Sequence, residues 1–304
     1  MKRLIIVAGP TAVGKTALCV ELAKILNTEI ISADSRQFYS ELNIGTAKPT
    51  IQEMQGVPHH FVGSHTITNH YSVGDYERDA LILIEQLFQK YDNLILTGGS
   101  GMFLKVICEG IDPMPNAPLA LRETLESRAK NEGIEILFDE LKALDPSYAN
   151  VVDIKNHQRI VRALEVCLDT GKPFSSFRIK QKVERSFEII KFCLNRDRED
   201  LYERINLRMD LMLENGLLEE AKSLTSFKNH NALQTVGYKE VFDYFDEKCS
   251  FEEMVTMLKQ NSRRYAKRQL TWFRNQDQYQ WLMMNDNPLE KILKALNLDN
   301  QRDR

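Results

Sequence analysis

The sequence predicts an α/β fold in which helices flank a parallel sheet and an all-helical domain is inserted between two strands. Two observations lead to this prediction. Short apolar runs alternate with amphipathic helical patterns in the first third of the chain, as expected for a parallel sheet. The runs lie at 4–8, 29–33 and 94–97, and the helical patterns lie at 17–26 and 75–91. Beyond a proline-rich stretch at 110–118, only helical patterns follow until an apolar run returns at 187–194.

The proline-rich stretch sets the boundaries of the predicted domains. Residues 1–112 form the first part of the α/β core, 113–185 the helical insertion, and 186–304 the second, mostly helical part of the core. Helical patterns lie at 119–132, 133–144 and 156–170 in the insertion, and at 198–213, 217–224, 238–245 and 251–273 beyond it. The tail after Asn285 is polar, and we expect it to fray.

The composition describes a soluble globular protein of about two domains. The chain has 304 residues, of which 43% are hydrophobic and 27% charged, and its net charge is −3. A site for nucleic acid would therefore be a local basic patch. The five cysteines form no C-x-x-C pair, which favours a reduced, cytoplasmic protein without a zinc site. The N-terminal apolar run is too short for a signal peptide or a membrane span, so we expect neither.

The residues after the first strand fit the phosphate-binding pattern G-x-x-x-x-G-K-[ST]. They are Gly9, Pro10, Thr11, Ala12, Val13, Gly14, Lys15 and Thr16. The glycines let the backbone turn N–H groups towards an anion, and the following helix adds its positive N-terminal end. Lys15 supplies a mobile cation, and Thr16 can reach a Mg²⁺ bound to the phosphates. We therefore expect a P-loop NTPase-like core that binds a di- or triphosphate; a chance glycine-rich turn is the alternative.

The acidic candidate lies after the second strand rather than after the third. A P-loop ATPase has an Asp at the end of an apolar strand to hold Mg²⁺, but the run at 94–96 ends in Thr97. Asp34 follows the second strand, at the sheet edge where ligands bind. It could act as a general base, orient Mg²⁺, or merely form a turn or helix cap. With the hydroxyl of Ser100 across the cleft, it suits transfer of a group from a pyrophosphate to an acceptor.

Three arginines follow the fourth predicted strand. Arg204 and Arg208 are four residues apart and share a helix face, with Arg198 at the start of the helix. Such side chains can clamp a phosphate with two hydrogen bonds each. A solvated face, paired with acidic neighbours such as Asp197 and Glu203, explains them equally well.

Two basic stretches suggest a polyanionic partner. The first includes Arg159 and Arg162 in the insertion, on a helix whose other face is apolar. The second runs from Lys259 to Arg274 and interleaves basic and aromatic residues. Like charges four residues apart repel each other on a helix, so a face that stacks them is suited to phosphates. Basic side chains with aromatic neighbours are typical of sites for RNA loops with splayed bases; a solvated face is the alternative.

Seven short segments, spread in order along nearly the whole chain, carry a family resemblance. They lie at 9–16, 31–35, 43–49, 98–101, 158–165, 236–238 and 267–274. The ordered set resembles the signatures of bacterial tRNA dimethylallyltransferases, also called tRNA isopentenyltransferases or IPP transferases. This resemblance implies transfer of a dimethylallyl group from its diphosphate to N6 of the adenosine immediately 3′ of the anticodon. One departure is Ser100, where the family usually has Thr; the hydroxyl is retained.

The resemblance also implies roles for individual residues. Asp34 is expected to take the N6 proton, with Ser100 and Lys15 as the other catalytic residues. The P-loop, Arg198 and Arg204 are expected to bind the diphosphate, with Mg²⁺ at Thr16 as cofactor. The expected tRNA contacts are Asp34, Ser35, Arg36, Gln37, Ser100, Arg122, Gln158, Arg159, Ile160, Val161, Arg162, Lys267, Arg268, Trp272 and Arg274.

The partners that follow are the tRNA anticodon stem-loop and dimethylallyl diphosphate, with no membrane, and a monomer is expected. The main alternative is a P-loop nucleotide kinase or NTPase. That class predicts an acidic residue after 94–96 and a loop that grips adenine, and neither is visible. A non-catalytic RNA-binding module would leave the Lys15-Thr16 pair unexplained.

Overall fold

A parallel sheet forms the centre of the α/β part of the chain. The computed structural model describes residues 2–69, 71–179, 183–276 and 278–298. Within these ranges, six strands form the sheet: β1 (Arg3–Ala8), β2 (Ile30–Ser32), β3 (His59–His60), β4 (Asn93–Gly98), β5 (Glu188–Asn195) and β6 (Gln280–Met283). Their spatial order is β3-β2-β4-β1-β5-β6, and every neighbouring pair is parallel. The predicted α/β class with a parallel sheet is confirmed.

Helices occupy most of the remaining chain. They are α1 (Lys15–Leu26), α2 (Ile51–Met54), α3 (Val73–Leu87), α4 (Gly101–Glu109), α5 (Leu119–Asn131), α6 (Ile134–Leu144), α7 (Pro146–Ala149), α8 (His157–Thr170), α9 (Arg198–Glu214), α10 (Leu217–Ser223), α11 (Tyr238–Phe245), α12 (Phe251–Arg274) and α13 (Pro288–Ala295). The expected fraying after Asn285 is wrong, because α13 buries Leu289, Ile292 and Leu293 in the core. Along the described residues, no helix combines the length and apolar character needed to cross a bilayer.

The chain divides into two compact units. One contains Met1–Cys108 and Glu184–Arg304, with the sheet, and the other is the helical segment Glu109–Val183. The helical unit has its own apolar core, which α5, α6 and α8 build around residues such as Leu137 and Leu164. The sequence predicted an insertion at 113–185.

Burial on both sides of the sheet explains why its central strands are continuously apolar. In β1, Ile5 and Val7 face a cluster with α1, α9 and α13, whereas Leu4 and Ile6 face a cluster with α3 and α4. All four side chains are fully buried. A third apolar cluster joins the ends of α9, α10, α11 and α12. The helices on both faces therefore leave the carboxyl edge of the sheet as the place for a site.

Candidate active site

A cleft lies at the carboxyl edge of the sheet. Because β1 lies between β4 and β5, the chain after β1 leaves the sheet where the strand order reverses, the usual position of a ligand crevice. The P-loop after β1, Asp34 after β2 and Gly98 at the end of β4 line this cleft. Side chains of α9 and α12 complete its walls. The topology thus brings together segments that are far apart in sequence.

The P-loop has the backbone geometry that its glycines allow. Gly9 and Gly14 have φ angles of 153° and 110°, in the region that favours glycine. A Cβ atom on Gly9 would lie 2.9 Å from the carbonyl oxygen of Leu194, so a larger residue would displace β5. Gly14 caps α1, which begins at Lys15 and directs its N-terminus towards the cleft. The first turn of this helix is therefore available to an anion.

Lys15 lies inside the P-loop. Its Nζ donates hydrogen bonds to the carbonyl oxygens of Gly9, at 2.9 Å, and Pro10, at 2.8 Å. Burial lowers the pKa of Lys15 from its ordinary value to about 8, opposed by the negative charge of Asp34 and reinforced by the positive charge of Arg208. A negatively charged ligand would reverse this shift, so the ammonium group is poised to bind an anion.

Two of the arginines on α9 contact the P-loop. Arg204 Nε donates to the carbonyl oxygen of Ala12 at 3.0 Å, and Arg208 donates to the hydroxyl of Thr11 at 3.2 Å. Burial, followed by the charge of Arg204, lowers the pKa of Arg208. A third arginine, Arg196, follows β5 and donates to the carbonyl oxygen of Val13 at 2.8 Å. Three guanidinium groups therefore surround the phosphate-binding loop.

Arg198 does not line the cleft in the part of the chain that the structure describes. It lies six residues before Arg204, which places it about 120° away around the helix. Its guanidinium lies over the ring of Tyr202, 5.2 Å from the centroid. Arg208, about 40° from Arg204, shares the helix face of Arg204, whereas Arg198 does not. The diphosphate contact predicted for Arg198 stays a prediction.

Asp34 lines the cleft directly after β2. Its Oδ1 accepts the backbone N–H of Arg36 at 3.0 Å, in a turn that fixes the carboxylate. The negative charge of Asp34 acts on Lys15 and on Tyr265, a residue of α12 that also lines the cleft. Burial, with this charge second, raises the pKa of Tyr265 to about 12. The structure thus brings Asp34, Lys15 and Tyr265 into one electrostatic environment.

Ser100 holds the Asp34 turn in place instead of lining the cleft among the described residues. Its Oγ accepts the backbone N–H of Ser35 at 3.1 Å and lies 3.1 Å from the Ser35 hydroxyl. Tyr265 also forms a side-chain hydrogen bond with Ser100. These contacts fit a positioning role for Ser100, and the catalytic role predicted for it stays a prediction.

The glycines beside Ser100 are required by close packing. A Cβ atom on Gly98 would lie 2.4 Å from the carbonyl oxygen of Ala33, and one on Gly99 would lie 2.3 Å from Nε2 of Gln269. A Cβ atom on Gly101 would lie 2.2 Å from the ring of Trp272. The segment 98–101 thus lets the end of β2 and the helix α12 approach β4.

Gln269 is a site residue that the sequence did not single out. Its Oε1 accepts the backbone N–H of Thr11 at 2.9 Å, and its Nε2 donates to the carbonyl oxygen of Gly99 at 2.9 Å. Gln269 and Ser262 are polar residues on the buried face of α12. Polar side chains within an otherwise apolar helix face are the signal that could have identified them.

Glu220 is a second residue that no sequence pattern identified. Its carboxylate accepts the backbone N–H groups of Asn43, Ile44 and Gly45, each at 2.9 Å, and the hydroxyl of Tyr238 at 2.5 Å. These bonds fix the loop whose residues Gly45 to Ala47 line the cleft. The fully buried Tyr238 ring occupies the space that a side chain on Gly45 would need.

The predicted RNA contacts in the helical unit have different environments. Gln158 and Arg159 are exposed at the start of α8. Ile160 and Val161 are buried in the apolar core of the helical unit, so their side chains are not presented at the surface. The tRNA contact predicted for this segment stays a prediction.

Arg122 and Arg162 share one buried carboxylate. Arg122 donates to both oxygens of Glu165, at 3.0 and 3.1 Å, and Arg162 donates to it at 2.8 Å. Glu165 is only 2% exposed, whereas the two arginine side chains are 32% and 29% exposed. Part of each guanidinium therefore still faces solvent.

The predicted contacts on α12 and in the Asp34 turn are partly engaged within the protein. Lys267, Arg268 and Arg274 are exposed, whereas Trp272 packs against Gly101 and Phe273. In the turn, Arg36 donates to the carbonyl oxygen of Asn231 at 2.6 Å. Gln37 donates to the carbonyl oxygens of Thr46 and Ala47 at 3.3 and 3.1 Å.

Comparison with known proteins agrees with this architecture. Residues 37–276 match the family model described as IPP transferase. A tRNA dimethylallyltransferase 1 of Bacteroides thetaiotaomicron is 45% identical over 99% of this chain and 97% of its own length, and a tRNA dimethylallyltransferase of Cytophaga hutchinsonii is 50% identical over 92% of each.

Solved structures show the same relationship. A tRNA isopentenylpyrophosphate transferase of Bacillus halodurans is 38% identical and superposes with a TM-score of 0.71, covering 98% of this chain and 95% of its own. A eukaryotic dimethylallyltransferase acting on tRNA is 26% identical, with a TM-score of 0.82 over 98% of this chain and 79% of its own. The matched family model spans more than half of the sequence, and the chain therefore belongs to the IPP transferase family.

Proposed function

We propose that the protein is a tRNA dimethylallyltransferase: it transfers a dimethylallyl group from dimethylallyl diphosphate to N6 of the adenosine immediately 3′ of the anticodon. The observation that carries the proposal is the pairing of a P-loop with Asp34 in one cleft. A phosphate cradle beside an available carboxylate suits a reaction in which diphosphate leaves as a proton is removed. The names of the similar proteins support the same substrate pair.

The P-loop, Lys15, Arg204 and Arg208 form the proposed diphosphate site. Departure of diphosphate concentrates negative charge on its oxygens as the carbon–oxygen bond breaks. Cations and N–H groups that are already in place stabilise this charge with little reorganisation. The backbone bonds from Arg204 to Ala12 and from Lys15 to Gly9 hold these groups at the P-loop before the ligand arrives.

We also propose that Mg²⁺ binds with the diphosphate at Thr16. The cleft offers oxygen ligands beside the P-loop, namely the hydroxyl groups of Thr16, Ser32 and Thr97. Mg²⁺ prefers oxygen ligands, so these residues fit the ion. When bound, it supplies positive charge that stabilises the leaving diphosphate.

Asp34 is the proposed general base. In the transfer, the N6 nitrogen forms a bond to C1 of the dimethylallyl group, and the bond between C1 and the diphosphate oxygen breaks. The proton released from N6 passes to the Asp34 carboxylate, and diphosphate leaves with the electron pair. The exocyclic amine of adenine is a poor nucleophile, so removal of its proton promotes the step. The adenine must leave its stack to enter the cleft, which is base flipping.

We propose that exposed basic residues hold the anticodon stem-loop. Arg159 on α8, and Lys267, Arg268 and Arg274 on α12, are exposed and can contact backbone phosphates. Arg122 and Arg162 present the outward part of their guanidinium groups. We expect the protein to be cytoplasmic, since tRNA is modified in the cytoplasm of bacteria. We also expect it to be a monomer.

The kinase alternative is tested by the choice of the phosphate-containing substrate. The protein is incubated with Mg²⁺ and unmodified tRNA, together with either dimethylallyl diphosphate or ATP, and the nucleosides are analysed by mass. We expect a dimethylallyl group on adenosine with dimethylallyl diphosphate and no reaction with ATP. Turnover of ATP without prenylated adenosine would overturn the proposal in favour of a kinase.

A further inference from the structure

The helix α9 presents two parallel rows of side chains to the cleft. Arg204 and Arg208 form the first row, and Ile205, Met209 and Met212 form the second. The second row follows the spacing of i, i+4 and i+7, which is one face of a helix. One helix thus offers cations to the diphosphate and, one row further, an apolar wall.

The two methionines supply the accessible part of that wall. Met209 and Met212 are 6% and 7% exposed, and this small exposed surface lines the cleft. Their other sides pack in the apolar cluster that contains Leu42 and Met254. The hydroxyl of Ser262 lies 3.1 Å from Sδ of Met209, which restricts the otherwise flexible side chain. This part of the cleft wall is therefore apolar and backed by a packed core.

We propose that Met209 and Met212 set the length of the prenyl chain that the enzyme accepts. This inference rests on the proposed function, because it assigns the tail of the diphosphate substrate to the second row. A tail that leaves a diphosphate held at Arg204 and Arg208 can lie against the neighbouring row, where the methionines supply the accessible surface because Ile205 is fully buried. Because the methionines are backed by a packed core, this wall cannot recede to make room for a ten-carbon tail.

The test compares dimethylallyl diphosphate with its ten-carbon homologue, geranyl diphosphate, as substrates for tRNA. Met209→Ala and Met212→Ala shorten the wall, and Met254→Ala is the matched control. Met254 is fully buried in the same cluster, but it is not part of the cleft lining found among the described residues. Mass analysis of nucleosides measures kcat/KM for each substrate.

We expect each cleft variant to raise the ratio of geranyl to dimethylallyl transfer about tenfold or more, a typical effect of opening an apolar pocket. The control variant should keep the wild-type ratio. Unchanged ratios in folded cleft variants that still bind inorganic diphosphate would overturn the inference. An equal rise in Met254→Ala would also overturn it, since general loosening of the core would then be the cause.

A second variant covers the case in which the alanine variants unfold. Met212→Phe places a bulkier side chain at this wall, so KM for dimethylallyl diphosphate should rise while the Kd of inorganic diphosphate stays unchanged. Wild-type values for both constants would refute the assignment of Met212. Failure of the proposed function is separate, because it is seen as a wild-type enzyme that transfers no dimethylallyl group at all.

Discussion

The depressed pKa of Lys15 predicts how diphosphate binding depends on pH. In the free protein this pKa is about 8, because the ammonium group is buried beside Arg208. A bound diphosphate favours the charged form, so the pKa rises on binding and the complex takes up protons. Binding is therefore unaffected by this group well below pH 8 and weakens as pH rises through 8.

The size of the effect follows from the protonated fraction of free Lys15. With a pKa of about 8, that fraction falls about tenfold between pH 7 and pH 9, so the affinity for diphosphate should fall about tenfold as well. Isothermal titration calorimetry with inorganic diphosphate measures this change. Repeating the titration at about pH 8.5 in buffers of different ionisation enthalpy measures the proton uptake.

Lys15→Arg is the control, because arginine keeps its charge over the whole range. It also corrects for ionisation of the diphosphate itself. We expect the wild-type protein to lose affinity more steeply than this variant. Identical pH profiles for the two proteins, with no difference in proton uptake, would refute the assignment of the depressed pKa to Lys15.

Three further predictions follow from individual contacts. Asp34→Asn should lower the single-turnover rate about 10²- to 10⁴-fold at saturating Mg²⁺, with both substrates still bound. Full rescue of the rate by raised Mg²⁺ would instead assign Asp34 to the metal. Arg204→Ala should raise the Kd of diphosphate roughly 10- to 100-fold, as expected for loss of a charged hydrogen-bond donor. Arg198→Ala should leave this Kd unchanged. Equal effects of the two variants would contradict the inference that only the helix face of Arg204 contacts the diphosphate. Arg159→Ala should weaken tRNA binding and reduce the magnitude of its salt slope by about 1 without lowering Tm. Arg162→Ala should also lower Tm, because it removes a hydrogen bond from buried Glu165. Equal Tm values for the two variants would show that this bond is dispensable.

The central strands could be predicted from the sequence because their buried environment requires a recognisable local pattern of apolar residues. Burial on both faces makes β1 and β4 continuously apolar, and this pattern is visible without the structure. The strand β6 lacks such a pattern, because Gln280 and Trp281 are exposed. This segment is a strand because it pairs with β5, which the local sequence does not reveal. The helix α13 was missed because its polar residues hide an apolar face of Leu289, Ile292 and Leu293.

The same distinction applies to the site. The P-loop was predictable because its glycines and Lys15 encode a local backbone conformation within eight residues. Gln269 was not, since its partner Thr11 is 258 residues away and only the fold brings them together. Arg198 shows a related limit: proximity in sequence to Arg204 does not decide which helix face a side chain occupies.

The hydrogen bonds of the cleft explain why Asp34 is suited to accept a proton. An acidic residue beside a lysine usually forms a charge-assisted hydrogen bond with it, which would occupy a carboxylate oxygen. Here Lys15 donates instead to the carbonyl oxygens of Gly9 and Pro10. Within the described residues, Arg36 is the one hydrogen-bond donor found for the Asp34 carboxylate, and it uses Oδ1. The P-loop thus occupies its own lysine, and Oδ2 of Asp34 is left for a substrate proton.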